Sequence, residues 1–339
     1  MSGSLRRFGW SLLGAAALAC AGPTFDVSDL PDAPIAFLHR SVEESERVID
    51  DAEQAQKQGR SEPAGELAVK AEQLERYAGR RTPDDIARDQ LGRVSFYVAP
   101  AKRLAAAEFA MRGARPLEWS ADHARLLFTG NARGVSQLFE WVAATGEVRQ
   151  LTNGAAHVDG CYGPGGAFAA AQVERISASQ WSVRVFVQRP GEAPRAVTPG
   201  PADSQPTWSP DGTRLVYVAS DPQQGELLRW VDPASEESGN LTRGRAPVFT
   251  RDGQWIVFSG RTPAGWKLWR MRPDGSGKRV FGASAFQEED PAVSPDGRFV
   301  VFAGRKKATS LISQLFVRPL DGSADRHLEV SGSGQLPVW

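Results

Sequence analysis

The chain has 339 residues, and its 40 Lys+Arg balance 40 Asp+Glu, leaving no basic excess for nucleic acid and no acidic tail. That length allows one large domain with a small appendage. With 34 Gly and 23 Pro the chain is rich in turn-forming residues, and its 2 Cys exclude a disulfide framework.

Arg6 and Arg7 open the chain with positive charge, and Trp10 to Ala19 is an uncharged stretch too short to span a bilayer. Ala17-Leu18-Ala19-Cys20 resembles a bacterial lipobox with the characters of two positions exchanged. Residues 1–19 are therefore expected to be a signal peptide, with Cys20 the lipidated first residue of the mature protein. The chain would then lie on the periplasmic side of a bacterial cell envelope, held to the membrane through lipid alone. Ala21 is not the aspartate that the resemblance associates with inner-membrane retention, so the outer membrane is expected. Ordinary cleavage at Ala17-x-Ala19 or Ala19-x-Ala21, with Cys20 incidental, is the alternative. Cys161 is expected to be buried as a small hydrophobe, a Cys20–Cys161 disulfide being the other option.

Residues 20–34 read as the lipidated cysteine and a tether. Residues 35–92 read as a helical segment. One helix is predicted from near Ser41 to Lys57 and a second from near Ser61. A third is capped by Thr82 with Pro83 at its first position, and Gly92 ends it. Their thin core is expected to pack against the following domain.

Residues 93–339 switch to strands and repeat. Aromatic or apolar markers at Trp119, Tyr162, Trp208, Phe249, Val293 and Trp339 recur at 41–46 residues, the period of a four-stranded propeller blade. Three markers lead into Ser209-Pro210-Asp211-Gly212, Thr250-Arg251-Asp252-Gly253 and Ser294-Pro295-Asp296-Gly297, where proline presets φ and glycine accepts a positive one. Ser120-Ala121-Asp122-His123 and Gly163-Pro164-Gly165-Gly166 depart from this turn. Gln335-Leu-Pro-Val-Trp339 has the form of a first strand with nothing after it. The expected fold is therefore an all-β propeller of six four-stranded blades, preceded by the helical segment, with the C-terminal strand closing the N-terminal blade. Arg93–Val98 would be the second strand of that blade and Leu104–Met111 the third, leaving little room for a fourth.

No Gly-x-Ser-x-Gly elbow, P-loop or dinucleotide fingerprint occurs. The 4 His are scattered, so no metal, cofactor or catalytic residue is assigned. Trp141, Trp230, Trp255 and Trp269 read as packing residues. The loops entering the innermost strands should ring one mouth of the central channel. They carry Arg112, Arg115, His157, Asp159, Asp203, Gln205, Arg243, Arg245, Glu288, Glu289, Asp290 and Gln335, the candidate partner-binding set. The two arginine pairs are expected on opposite sides of the mouth, exposed and ready to grip carboxylates.

The Trp-Ser-Pro-Asp-Gly run at 208–212, the Ser-Pro-Asp-Gly at 294–297 and the Leu-Thr-Asn-Gly at 151–154 resemble the WD40-like repeats of the TolB family. The resemblance spans residues 93–339. It implies a non-catalytic propeller that engages a protein or peptide partner at the channel mouth. A propeller hydrolase or lyase acting on an extracellular polymer, with its site in the channel, is the alternative.

Overall fold

A computed structural model describes residues 25–45, 93–107, 109, 111, 114–177, 180–221, 223, 225–282, 284, 287–305 and 312–339. These form six four-stranded antiparallel sheets arranged as blades around a central channel. Blade 2 spans Arg115–Gln150, blade 3 His157–Ala196, blade 4 Asp203–Arg243, blade 5 Arg245–Val280 and blade 6 Gln287–His327. Blade 1 joins the two ends of the chain.

Each blade packs on a neighbour through both faces, so its second strand reads as an apolar run rather than as an alternation. Leu215–Val218, Ile256–Ser259 and Phe299–Phe302 are buried at every position. Val216 and Val218 of blade 4, for example, meet Phe249, Ile256 and Phe258 of blade 5. Similar clusters fill every other junction of the ring. Each fully buried Val, Leu, Ile or Phe among them contributes roughly 1.5–3 kcal/mol. Cys161 is buried between blades 3 and 4, as expected.

The first turn of a blade is held by its own side chains. Ser209 Oγ donates to Asp211 Oδ1 at 2.6 Å and accepts from the Arg214 N–H at 2.9 Å, while Gly212 takes a φ of 70°. Thr250 with Asp252 and Ser294 with Asp296 repeat this pattern. The divergent Ser120–Asp122 turn uses it too, with His123 at a φ of 55° in glycine's place, its ring stacked on Trp119.

Blade 1 closes the ring with a correction to its composition. Its strands run Ser333–Val338, Ile35–Arg40, Arg93–Val98 and Arg103–Ala106, from inside to outside. The C-terminal strand pairs with Ile35–Arg40, so the ring is sealed by strands from opposite ends of the chain. Ile35–Arg40 is therefore a strand, not part of a helical segment. It takes second place, moves Arg93–Val98 to third, and makes Arg103–Ala106 the fourth strand that had lacked room. A helical turn does start at Ser41, where Ser41 Oγ accepts from the Glu44 N–H at 3.2 Å and Glu44 returns the bond at 2.7 Å. The predicted second and third helices lie outside the described residues, as does Cys20.

The predicted tether is also corrected, because its described part is docked. Asp26 caps a short 3-10 turn over Val27–Asp29. Phe25 packs on Phe299 with ring centroids 5.2 Å apart, and Leu30 is buried. Arg326 Nε donates to the Phe25 carbonyl at 3.0 Å and Arg298 Nη2 to that of Asp29 at 2.9 Å. These contacts fix the segment at the end of the propeller that carries the Ser-Pro-Asp-Gly turns, across the junction of blades 6 and 1.

Candidate functional site

The innermost strands surround a cavity of about 500 Å3. Pairing between first and second strands shifts register within every blade, at Pro116/Glu118, His157/Asp159, Ser204/Thr207, Arg245/Val248, Glu289/Ala292 and opposite Ala36/Leu38. In four blades the bulge residue precedes a proline and adopts positive φ: Gln205 at 50°, Ala246 at 49°, Asp290 at 53° and Leu336 at 48°. Proline fits there because an inner edge strand needs no further N–H donor, and the bulge re-aims the residue before it. All four bulge residues and their prolines line the cavity.

Hydrogen bonds pass from blade to blade around this rim. Arg115 Nη2 donates to Asp159 Oδ1 at 2.6 Å, and the Asp159 carboxylate also accepts from the Gln205 N–H. Gln205 Oε1 accepts in turn from the Ala246 N–H at 2.7 Å. Arg245 Nη2 donates to Glu289 Oε1 at 2.8 Å, and Arg305 holds the other oxygen of the same carboxylate. Burial pushes the Asp159 carboxyl upward, with Arg115 the main opposing influence.

Asp290 breaks the pattern. Its N–H donates to Ser259 Oγ at 3.2 Å, but its carboxylate accepts no hydrogen bond from the described residues. The side chain is half-buried and lines the cavity. Burial pushes its pKa up to about 6; Arg245 draws it down, Glu289 pushes it up, and Arg115 and Arg305 draw it down further. Deeper in the channel, burial takes Glu118 to about 7 against the Tyr162 N–H, which donates to it at 2.6 Å, and the charge of Arg251.

The candidate set divides on this geometry. Arg115, Asp159, Gln205 and Asp290 line the cavity. Arg115 and Arg245 stand in blades 2 and 5, across the ring from each other, as expected. The expectation that the arginines are exposed and ready to grip is overturned for Arg115 and Arg245. Arg245 is bonded to Glu289 and lies 4.0 Å from the Trp266 ring centroid, and Arg115 is engaged by Asp159. Arg243 is exposed at the end of the outer strand of blade 4, away from the cavity. Asp203 is buried and accepts from the Gly200 N–H at 2.6 Å, which holds the turn into blade 4.

His157 is buried, and burial lowers its pKa. Gln335 is half-buried on the closing strand, while its neighbour Leu336 reaches the cavity. Arg112 lies outside the described residues.

Glu288, placed by the sequence in the candidate set at the mouth, is instead enclosed, with 1% of its surface exposed. Its Oε2 accepts the Leu268 N–H at 2.9 Å. In blades 2 and 3 threonine hydroxyls do this, Thr152 for the Leu138 N–H and Thr198 for the Val185 N–H. Its Oε1 accepts from Arg318 Nη2 at 2.6 Å, and Arg318 is itself fully buried. Sequence reasoning missed Glu118 and Leu336. The proline two residues before four of the markers was the available signal. Among the described residues no three His, Cys, Asp or Glu come together as a metal-binding group.

No protein-family model matches the chain. A stretch of 116 residues is 32% identical to an uncharacterised protein of Agrobacterium fabrum, over 33% of this chain and 39% of that protein. The chain thus matches well under half the length of that curated relative. A TolB-type protein from Agrobacterium tumefaciens superposes with a TM-score of 0.60 at 24% identity, over 69% of this chain and 87% of that one. TolB from Acinetobacter baumannii gives 0.63 at 14% identity, over 91% of this chain and 67% of the other. The chain therefore has a TolB-like six-bladed propeller fold.

Proposed function

We propose that this chain is a non-catalytic propeller of the bacterial periplasm, anchored to the envelope through Cys20, that binds an extended segment of a protein partner at its channel mouth. The observation that carries this reading is the cavity of about 500 Å3, a volume within the usual range of ligand sites, rimmed by Arg115, Asp159, Gln205 and Asp290. The likeness to TolB propellers supports it at the level of fold. The docking of Phe25–Leu30 at the opposite end of the channel is consistent with a tethered protein whose mouth stays open to a partner.

A photo-crosslinking side chain at Leu336, inside the mouth, tests the reading against one at Val280, exposed on the outer edge of blade 5. In intact envelopes a partner should be captured from position 336 and not from 280. Capture only from 280, or none from 336, would remove the channel as the binding site. For the anchor, Cys20→Ser should move the protein from the membrane to the soluble fraction. An unsubstituted protein that already fractionates as soluble would end the lipid reading.

A further inference from the structure

We infer that Asp290 is the recognition point of the channel mouth and that the segment it takes presents a cationic group: a lysine, an arginine or a chain-terminal ammonium. This rests on the reading that the mouth binds a protein segment, and it supplies the chemistry of that segment.

The argument begins with the charges at the mouth. Arg115 bonds to Asp159, and Arg245 and Arg305 share Glu289. Gln205 spends its carbonyl oxygen on the Ala246 N–H. The Asp159 and Glu289 carboxylates and the Gln205 side-chain carbonyl are each met from a neighbouring blade, whereas the Asp290 carboxylate lines the cavity without a donor among the described residues. A partly desolvated carboxylate without a hydrogen bond costs free energy that a charge-assisted donor recovers.

Its placement is imposed by the backbone. Asp290 sits at positive φ on a bulge, followed by Pro291. The same bulge carries Gln205, Ala246 and Leu336 in other blades, so the position is part of the repeat, and among these four positive-φ bulges only that of blade 6 carries a carboxylate; Asp159, at the corresponding place in blade 3, is held by Arg115. Leu336 stands on the adjacent inner strand, and Pro206, Pro247, Pro291 and Pro337 form an apolar collar around the cavity. A lysine or arginine stem can lie along such a collar while its head meets the carboxylate. The same arrangement opposes the gripping of partner carboxylates by arginine, because those guanidiniums already hold Asp159 and Glu289.

The charged groups facing Asp290 are Arg245 from blade 5, Arg115 from blade 2, Arg305 from the second strand of blade 6, and Glu289 beside it. Recognition needs the ionised carboxylate, so binding should fade as pH falls through about 6, the value burial gives the empty site.

The test pans a random short-peptide library on the full chain at neutral pH, with two variants in parallel. Asp290→Asn removes the charge and keeps the shape. Leu336→Arg supplies a cation from the protein itself beside Asp290. Peptides rich in Lys or Arg should be enriched, should weaken about ten-fold or more on Asp290→Asn, and should be excluded by Leu336→Arg. Their binding to the unsubstituted chain should also fall below pH 6, a loss absent from Asp290→Asn. Acidic or uncharged peptides that Leu336→Arg blocks and Asp290→Asn leaves unchanged would overturn the inference and leave channel binding standing. Peptides indifferent to both variants, or no enrichment, would overturn both.

Discussion

Glu288 and Asp290 lie two positions apart on one strand, yet they differ in what reaches them. Glu288 sits under the third strand of blade 5 against a fully buried arginine, and Asp290 is turned by its bulge into the channel. Glu288→Ala should lower stability by about 3–5 kcal/mol, because it leaves Arg318 buried without that partner and the Leu268 N–H unpaired. Denaturant titration reads this directly. A loss below about 1 kcal/mol would mean that Asp325, the other carboxylate on Arg318, suffices.

Glu118 should give the opposite kind of result. Its folded pKa of about 7 lies above the ordinary carboxylate value, so the folded protein holds a proton that the unfolded chain releases. Stability from this group is present below about pH 4.5 and is lost as pH rises through 7. Glu118→Gln should therefore be the more stable protein at pH 8, by at most about 3 kcal/mol, and the gap should close by pH 4.5. A gap that does not depend on pH would show that Glu118 does not titrate in this window.

At the scale of elements, the legible part of the fold was the part built from local chemistry. A Ser-Pro-Asp-Gly turn carries its own donors, acceptors and positive φ within four residues, so its recurrence marked the blades, while the six spaced markers gave their number. Asp211 takes the Ser209 hydroxyl at 2.6 Å and the Thr213 N–H at 3.0 Å. Asp211→Ala should cost about 1–2 kcal/mol in thermal or denaturant unfolding. An unchanged midpoint would assign the turn to Pro210 and Gly212 alone.

What stayed illegible depends on register and on distant pairing. Ile35–Arg40 is one short strand whose partners lie more than fifty residues on, at Arg93–Tyr97, on one side and at Ser333–Val338 on the other. Nothing within its six residues marks a place in a blade. The candidate site failed for a related reason. Loop position predicted that Arg115, Asp159, Gln205 and Asp290 would face the channel, but a bulge shifts side chains by one residue. It therefore sent Glu288 into the blade junction and brought Leu336 rather than Gln335 to the cavity.

On the scale of the whole molecule, a single junction carries both ends of the chain. Strand Ser333–Val338 is the inner strand of blade 1 and bonds only to Ile35–Arg40 within its sheet. Trp339 behind it is buried in the cluster shared by blades 6 and 1, and its Nε1 donates to the Ala33 carbonyl at 3.3 Å. The docked residues Phe25 and Leu30 cover the same cluster. The ring is thus closed by hydrogen bonds between strands from the two ends of the chain and by apolar contacts that both share, with no covalent link across it among the described residues.

Trp339→Ala should therefore cost about 3–5 kcal/mol, since a large side chain leaves a cavity that two blades cannot both collapse into. Deleting residues 333–339 goes further. It strips the inner edge of Ile35–Arg40, leaves the pocket between blades 6 and 1 without its plug, and exposes strands able to pair with other chains. The truncated protein should melt well below the full chain and should form larger species on size-exclusion chromatography as its concentration rises. Trp339→Ala alone should stay monodisperse under the same conditions, because the strand and its hydrogen bonds remain. A truncated protein that melts within a degree or two of the full chain and elutes as it does would show that the ring holds without its closing strand.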